Sequence, residues 1–452
     1  MNKSSVKKYL KWALPEFTHP FGRKILRFLH FLHTVKRKHE LEKHYSGVHE
    51  RYKHNLFILN KKMSSKNEKI RCVYFALFNS IWKCDGMYQL MEKDKRFEPL
   101  ILVCPIINFG REEMLHNMED CYNQMKEKGY NVRKAYDSEK DKYIDVCKDL
   151  NPDIIVYTNP YEGLIDNRYY IKNFENILTV YIPYFFGLNI EFESFNNLYL
   201  HNIVWRLYCE TTTHNGYYIY HQVLKGKNVK VTGYPGIDAF LKNNLPSVSK
   251  LNKFKTIIWA PHHTIEPVGK VNFSCFIKYS EFMIRMARKY QDKLSFVFKP
   301  HPLLRNKLNQ LWGKDKTDAY YLQWETMPNT SVNEGEYVDL FLESDAMIHD
   351  SGSFLTEYLY THKPVMRTMN DVDPKTMYND FALDVLDVYY KGYNEQDIQQ
   401  FIQNVIDGVD PMKETREKFF LERLLPPNGK LPSENIVNDI IDSIKNQRVL
   451  AE

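Results

Sequence analysis

Residues 344–366 read SDAMIHDSGSFLTEYLYTHKPVM, and the fold is decided by how this stretch divides. AMIHD is a short apolar run without alternation, as expected of a strand covered on both faces. Ser351-Gly352-Ser353 makes a turn, FLTEYLYTH has helical spacing, and KPVMRT is another apolar run. Strand, turn, helix and strand in so few residues form a crossover unit, which requires a parallel sheet. The same alternation extends upstream: TIIWAP (256–261), a loop HHTIEPVGKVNFS, a helix CFIKYSEFMIRMARKY, the strand LSFVFKPHP (294–302) and the helix LLRNKLNQLWG. Residues 327–333 read as a loop and EYVDLFLES as a helix.

A second block of alternation precedes this one. It runs from KIRCVYFALF (69–78) through PLILVCPII, REEMLHNMEDCYNQMKEKG, YNVRKAY, a helix SEKDKYIDVCKDLN, the strands PDIIVYTN and ILTVYIPYFF, and a helical stretch 196–220, closing at VKVTGYPGID (229–238). The polar segment 242–255, KNNLPSVSKLNKFK, is the best linker. The expected architecture is α/β, with two doubly wound parallel-sheet, Rossmann-type units facing a cleft. A basic helical N-terminal extension and a helical C-terminus complete it. The boundaries are 1–66 for the basic segment, 67–245 for the first unit and 246–452 for the second with its helical tail. Ligands belong in the cleft, at the carboxyl ends of the strands.

Three motifs fall at such strand ends. In the first, Asp350, Ser351, Gly352 and Ser353 open a helix, where hydroxyls and free amides receive phosphate oxygens and Gly352 permits close approach. The same residues also fit a plain Asp/Ser helix cap. Without a GxSxG elbow, a nucleophilic serine is disfavoured. In the second, Lys299 and His301 flank Pro300, offering a cation and an imidazole to a diphosphate, or merely a rigid loop. In the third, His262 and His263 follow TIIWAP; a metal would need a third ligand that the sequence does not identify, so a phosphate contact is preferred and no metal site is assigned. No cofactor is firmly implied, and magnesium is left open.

Taken in the order APHHT, KPHP, DSGS with EYL and KPV, these motifs resemble the CDP-glycerol glycerophosphotransferase family, whose members build teichoic acids and some capsules. WKCDGMYQLMEKDKRFEPLILV and GYPGID near Asp238 resemble family features too. The resemblance spans roughly 70–450 and is most specific over 256–366. It implies a GT-B fold in which Lys299 and His301 contact the donor pyrophosphate. Asp350, Ser351 and Ser353 would join them, and Glu357 would hold the ribose. Many family polymerases carry a His-Gly-Thr element whose histidine is the base toward the acceptor; here YIPYFFGLN (181–189) stands in what looks like its place. The base is therefore sought among His201, His214, His262, Glu162 and Glu191.

The expected activity is transfer of glycerol phosphate, or a related alditol phosphate, from a CDP-alditol to a surface-polymer or lipid-linked saccharide hydroxyl, with CMP leaving and His301 and His262 as catalytic groups. The alternatives are a GT-B glycosyltransferase using a nucleotide sugar, and a non-catalytic binding subunit. Residues 1–67 hold about sixteen Lys or Arg against about four Asp or Glu, which leaves the rest of the chain net acidic. Lys3, Lys7, Lys8, Lys11, Arg23, Lys24 and Arg27 alternate with Trp12, Phe21, Ile25, Phe28 and Leu32, as in a basic amphipathic helix on an anionic membrane. A solvated helix packed on the body is the plainer reading, and nucleic acid is not expected as a partner. No run is apolar enough to span a bilayer, and the seven cysteines have no metal-like spacing. The expected location is peripheral, on the cytoplasmic face of the plasma membrane.

Overall fold

The computed structural model describes residues 20–65, 67–242, 254–266 and 272–446, with 20–38 and Ser80 described as backbone only. The linker read over 242–255 therefore lies mostly outside the described residues, as do residues 1–19 of the basic segment.

The first sheet contains β1 (Ile70–Ala76), β2 (Phe97–Val103), β3 (Val132–Lys134), β4 (Ile154–Tyr157), β5 (Leu178–Tyr181), β6 (Arg206–Cys209) and β7 (Val229–Val231). Its order is β3-β2-β1-β4-β5-β6-β7, with every pairing parallel. The second contains β8 (Lys255–Ala260), β9 (Leu294–Phe298), β10 (Thr330–Val332), β11 (Ala346–His349), β12 (Val365–Thr368) and β13 (Tyr390–Gly392), ordered β10-β9-β8-β11-β12-β13, again all parallel. Both orders reverse direction beside their first strand, which opens a crevice at the carboxyl ends there. Strands β4, β5 and β11 are buried at every position, which explains their unbroken apolar sequence.

Several elements differ from the sequence reading. The stretch 196–220 is not continuously helical: RLYC forms β6 between short helices, because a four-residue strand with little exposure on either face leaves no periodic trace. The loop 327–333 contains β10, and the helix expected over 138–151 is a two-stranded hairpin followed by one wide turn at Val146–Leu150. The basic segment also ends inside the fold. Helix α1 (Pro20–Ser64) places Tyr45, Val48, Tyr52, Leu56 and Leu59, spaced by three and four residues, in the first core. Tyr52 fixes it further, its hydroxyl donating to Ile203 O at 2.9 Å. Among the described residues no helix is long and apolar enough to cross a membrane.

The two units are knit together. The C-terminal helix α2 (Pro432–Lys445) returns to the first unit, where Ile436, Val437, Ile440 and Ile444 join its core. In the other direction, Phe186 and Leu188, beyond β5, are buried in the core of the second unit with Phe381 and Tyr360. Asn379 Nδ2 and N–H donate to Gly187 O and Leu188 O at 2.7 and 2.9 Å.

Candidate functional site

The three motifs sit at the ends of β8, β9 and β11, which are adjacent strands. The parallel register pairs Trp259 with Phe298 and Ala260 with His349, so these strands stop almost level. Pairing continues past their ends: the Lys299 N–H donates to Trp259 O at 2.8 Å and the His301 N–H to Pro261 O at 3.0 Å. Backbone hydrogen bonding therefore carries His301 to the neighbouring histidines. Ring centroids are 4.3 Å apart for His262–His263, 4.8 Å for His262–His301 and 4.2 Å for His263–His301.

The protonation of two rings follows from their partners. His301 Nδ1 accepts the Leu303 N–H at 3.1 Å, and His262 Nδ1 accepts the Thr264 N–H at 3.3 Å. Thr264 Oγ1 lies 3.0 Å from His262 Nδ1 while itself accepting the Phe273 N–H at 3.0 Å, so its hydroxyl hydrogen turns to the ring. A nitrogen that accepts a backbone N–H carries no proton, which assigns the proton of each neutral ring to Nε2. Burial, reinforced by the neighbouring imidazoles, pushes His262 down to about 2 and His301 down to about 3, and burial lowers His263 as well. Near neutral pH the cluster is uncharged and presents at least two N–H donors.

One nitrogen or more from each ring lies within 4.8 Å of the others, so the fold supplies the third imidazole that the sequence could not place. Imidazoles suit zinc-like ions and not magnesium, which takes oxygen ligands. Metal bound through Nε2 of His262 and His301 would require both tautomers to reverse and both Nδ1 contacts to break. The arrangement is better matched to an anion.

The remaining expected residues divide. Asp350 is fully buried and turned inward: Oδ1 accepts the His262 N–H at 2.5 Å and Oδ2 the Cys275 N–H at 2.6 Å, while burial raises its carboxyl to about 6. It shapes the loop that carries His262. Ser351 is buried and Ser353 exposed at the turn. The helix expected after them is α-helical only over Phe354–Glu357 and then tightens to a 3₁₀ turn, so it brings little aligned dipole, and side chains carry more of the site than expected. At Gly352 a Cβ would meet the Phe273 ring at 3.0 Å, so the close approach that needs glycine is to this ring. Lys299 Nζ donates to Gly335 O at 2.7 Å and to Asn333 Oδ1 at 3.0 Å, anchoring the next loop, and burial lowers it to about 8. Glu357 is buried with its two oxygens 2.5 Å from Tyr337 Oη and 3.3 Å from Tyr234 Oη, so a ribose there would be a third claimant.

Sequence reading missed Arg367, which it treated as part of a strand. At the end of β12, 3% exposed, it donates to Ser351 O at 3.1 Å and to Tyr378 Oη at 2.6 Å, and its guanidinium lies over Phe273. A buried cation thus backs the serine turn. The available signal was a basic residue near the carboxyl end of an otherwise apolar strand. Of the acceptor-base candidates, Glu162 pairs on the surface with Lys172 and Glu191 is exposed. His201 is buried, with its Nδ1 accepting the Leu198 N–H. His214 has both ring nitrogens engaged, at 2.8 Å from Thr211 Oγ1 and 3.1 Å from Gly187 O.

The profile of the family described as CDP-Glycerol:Poly(glycerophosphate) glycerophosphotransferase matches residues 212–442, about half of the chain. The chain belongs to this family. A teichoic acid poly(ribitol-phosphate) polymerase of Bacillus spizizenii is 27% identical over 209 residues, which is 41% of this chain and 32% of that protein. The chain thus matches about a third of the length of this curated relative. A solved structure of the wall teichoic acid polymerase TagF is similar over 94% of this chain and 98% of its own, with TM-score 0.57 and 15% identity. Another, soaked with CDPG, is similar over 96% and 99%, with TM-score 0.54 and 15% identity. At these identities the likeness establishes the fold of the family member described here, which is GT-B.

Proposed function

We propose that this protein transfers glycerol phosphate, or a related alditol phosphate, from a CDP-activated donor to a hydroxyl of a teichoic-acid-like or capsular polymer, releasing CMP. The observation that carries this reading is the convergence of two neutral, tautomer-fixed imidazoles, His262 and His301, at the ends of adjoining strands. Their Nε2–H groups suit the oxygens of a pyrophosphate, with His263 beside them and Ser351, Gly352 and Ser353 following the adjoining strand β11. Arg367 and Lys299 add positive potential from behind and from the side, and Asp350 and Thr264 hold the His262 loop.

In the reaction the acceptor hydroxyl oxygen bonds to the β-phosphorus of the donor. The bond from that phosphorus to the bridging oxygen breaks in line, and CMP leaves with the electron pair. The hydroxyl proton passes to a base on the acceptor side. Such transfers rely on positioning and charge stabilisation, which is the role assigned to His301 and His262.

The test is CMP release from CDP-glycerol and CDP-ribitol with a polymer acceptor. His301→Ala is expected to slow turnover roughly 100-fold or more, as for loss of an oxyanion donor. Full turnover by this variant would remove the assignment, and release of a nucleoside diphosphate from a nucleotide sugar would reassign the protein to glycosyl transfer.

The proposed location is the cytoplasmic face of the membrane, bound through the basic segment. Since α1 joins the core from Tyr45 onward, the informative deletion removes residues 1–36. It is expected to lower sedimentation with anionic vesicles and leave CMP release on soluble acceptors unchanged; undiminished sedimentation would refute the membrane role.

A further inference from the structure

A chain of hydrogen bonds runs from the first unit to a buried carboxylate of the second, close to the serine turn. Lys83 lies between β1 and the helix Asp85–Lys93, and its neighbours on either side, Trp82 and Cys84, are both buried. Its Nζ donates to Tyr337 Oη at 2.9 Å and stands 4.9 Å from the centre of that ring. An ammonium can only donate, so the hydroxyl accepts from it and turns its own hydrogen to Glu357 Oε2 at 2.5 Å. Tyr234 Oη reaches the other oxygen at 3.3 Å. Glu357 is buried, which raises its carboxyl, and the largest opposing influence is the charge of Lys83. A buried carboxylate is costly unless a cation or donors offset it, and here the cation comes from the opposite unit.

We propose that Lys83 is a positioning residue for donor binding, acting across the units through Tyr337 and Glu357 to hold the serine turn where it receives phosphate oxygens. Glu357 closes the helix Phe354–Glu357, which begins directly after Ser353. Four residues have no helical stability of their own, so contacts decide where this helix sits. Tyr337 touches both of its ends, with its ring 5.1 Å from that of Phe354 and its hydroxyl on Glu357. The loop before Tyr337 is anchored from the donor side as well, by Lys299 on Gly335 O. Other contacts join the units at the same rim: Asn79 Nδ2 donates to Glu336 Oε1 at 3.0 Å, and Lys128 Nζ lies 3.8 Å from that oxygen. That ion pair is exposed and contributes little, so the partly buried relay carries the effect. The inference rests on the transferase reading, since the donor is the ligand that reports it.

The experiment measures binding of CDP-glycerol and, separately, UDP-glucose to the full chain, with CMP release at saturating CDP-glycerol. Lys83→Met keeps the stem and removes the charge; it is expected to weaken CDP-glycerol roughly tenfold and to lower kcat by less than about threefold. Lys83→Arg should restore affinity to within about threefold, and Lys128→Met should leave it within about twofold. Tyr337→Phe should weaken the donor as Lys83→Met does, and the double variant should be no more than about twofold worse than Tyr337→Phe alone. Wild-type affinity in Lys83→Met, an equal loss in Lys128→Met, or losses that multiply in the double variant would overturn the proposal. If wild type bound UDP-glucose and not CDP-glycerol, and Lys83→Met weakened UDP-glucose, the glycerophosphate reading would fall and the positioning role would stand. Binding of neither nucleotide would overturn both.

Discussion

At the ends of β8, β9 and β11 the imidazoles present N–H donors, and the carboxylate of Asp350 is turned away to backbone amides. At the ends of β5 and β6 the walls are aromatic and the charged group is a carboxylate, Glu210, which pairs with no cation among the described residues. Both sites are strand-end crevices of doubly wound sheets, so topology sets where a ligand sits and not what it is. Chemistry is set by which side chains follow the last strand residue and by what restrains them. A surface of N–H donors suits an anion, and a buried carboxylate does not.

The comparison breaks most visibly if the defects do not separate. His301→Ala should slow CMP release roughly 100-fold or more and weaken CDP-glycerol binding, whereas Glu210→Gln should leave CDP-glycerol affinity within about twofold. If Glu210→Gln weakened CDP-glycerol as much as His301→Ala, the two crevices would be one. A smaller effect is expected from Thr264→Val, which removes the hydroxyl restraining His262 Nδ1 but keeps the backbone N–H. Donor affinity should fall roughly fivefold, and the side-chain ¹⁵N spectrum should reveal a mixed tautomer at His262. An unchanged tautomer with reduced affinity would assign Thr264 a purely structural part.

Asp238 provides a control outside both crevices. Buried against Gly86 and Ser433, its carboxyl is raised by burial to about 6. That lies above an unfolded value of about 3.9, so the folded state favours the protonated form. Stability present below about pH 4 is therefore lost as pH rises through about 6. Asp238→Asn should remove this loss, gaining about 2 to 3 kcal/mol at pH 8 and nothing at pH 4 by denaturant midpoint. CDP-glycerol affinity should not move.

Much of the fold was legible because long parallel strands flanked by helices write themselves as alternating runs; KIRCVYFALF and SDAMIHDSGSF needed no contact information. Short strands such as RLYC and TSV were invisible, since three or four residues show no period. Of the site, the strand-end positions of His262, His301 and Asp350 could be read, but not their states. Nothing in APHHT says that Thr264 reaches back to Nδ1, nor does DSGS say that Asp350 faces inward. Arg367 and Glu210 were overlooked for another reason: each follows or ends a strand in a stretch without a motif, and only packing brings them to a crevice.

The most direct test of the donor site is a titration of CDP-glycerol followed by histidine side-chain ¹H–¹⁵N NMR on the full chain. Expected are His262 and His301 as Nε2–H tautomers before addition, with both Nε2 resonances shifting on binding while Nδ1 stays unprotonated. Saturating CDP-glycerol without movement at either ring, or Nδ1–H tautomers at the start, would contradict a pyrophosphate seat built from these two imidazoles.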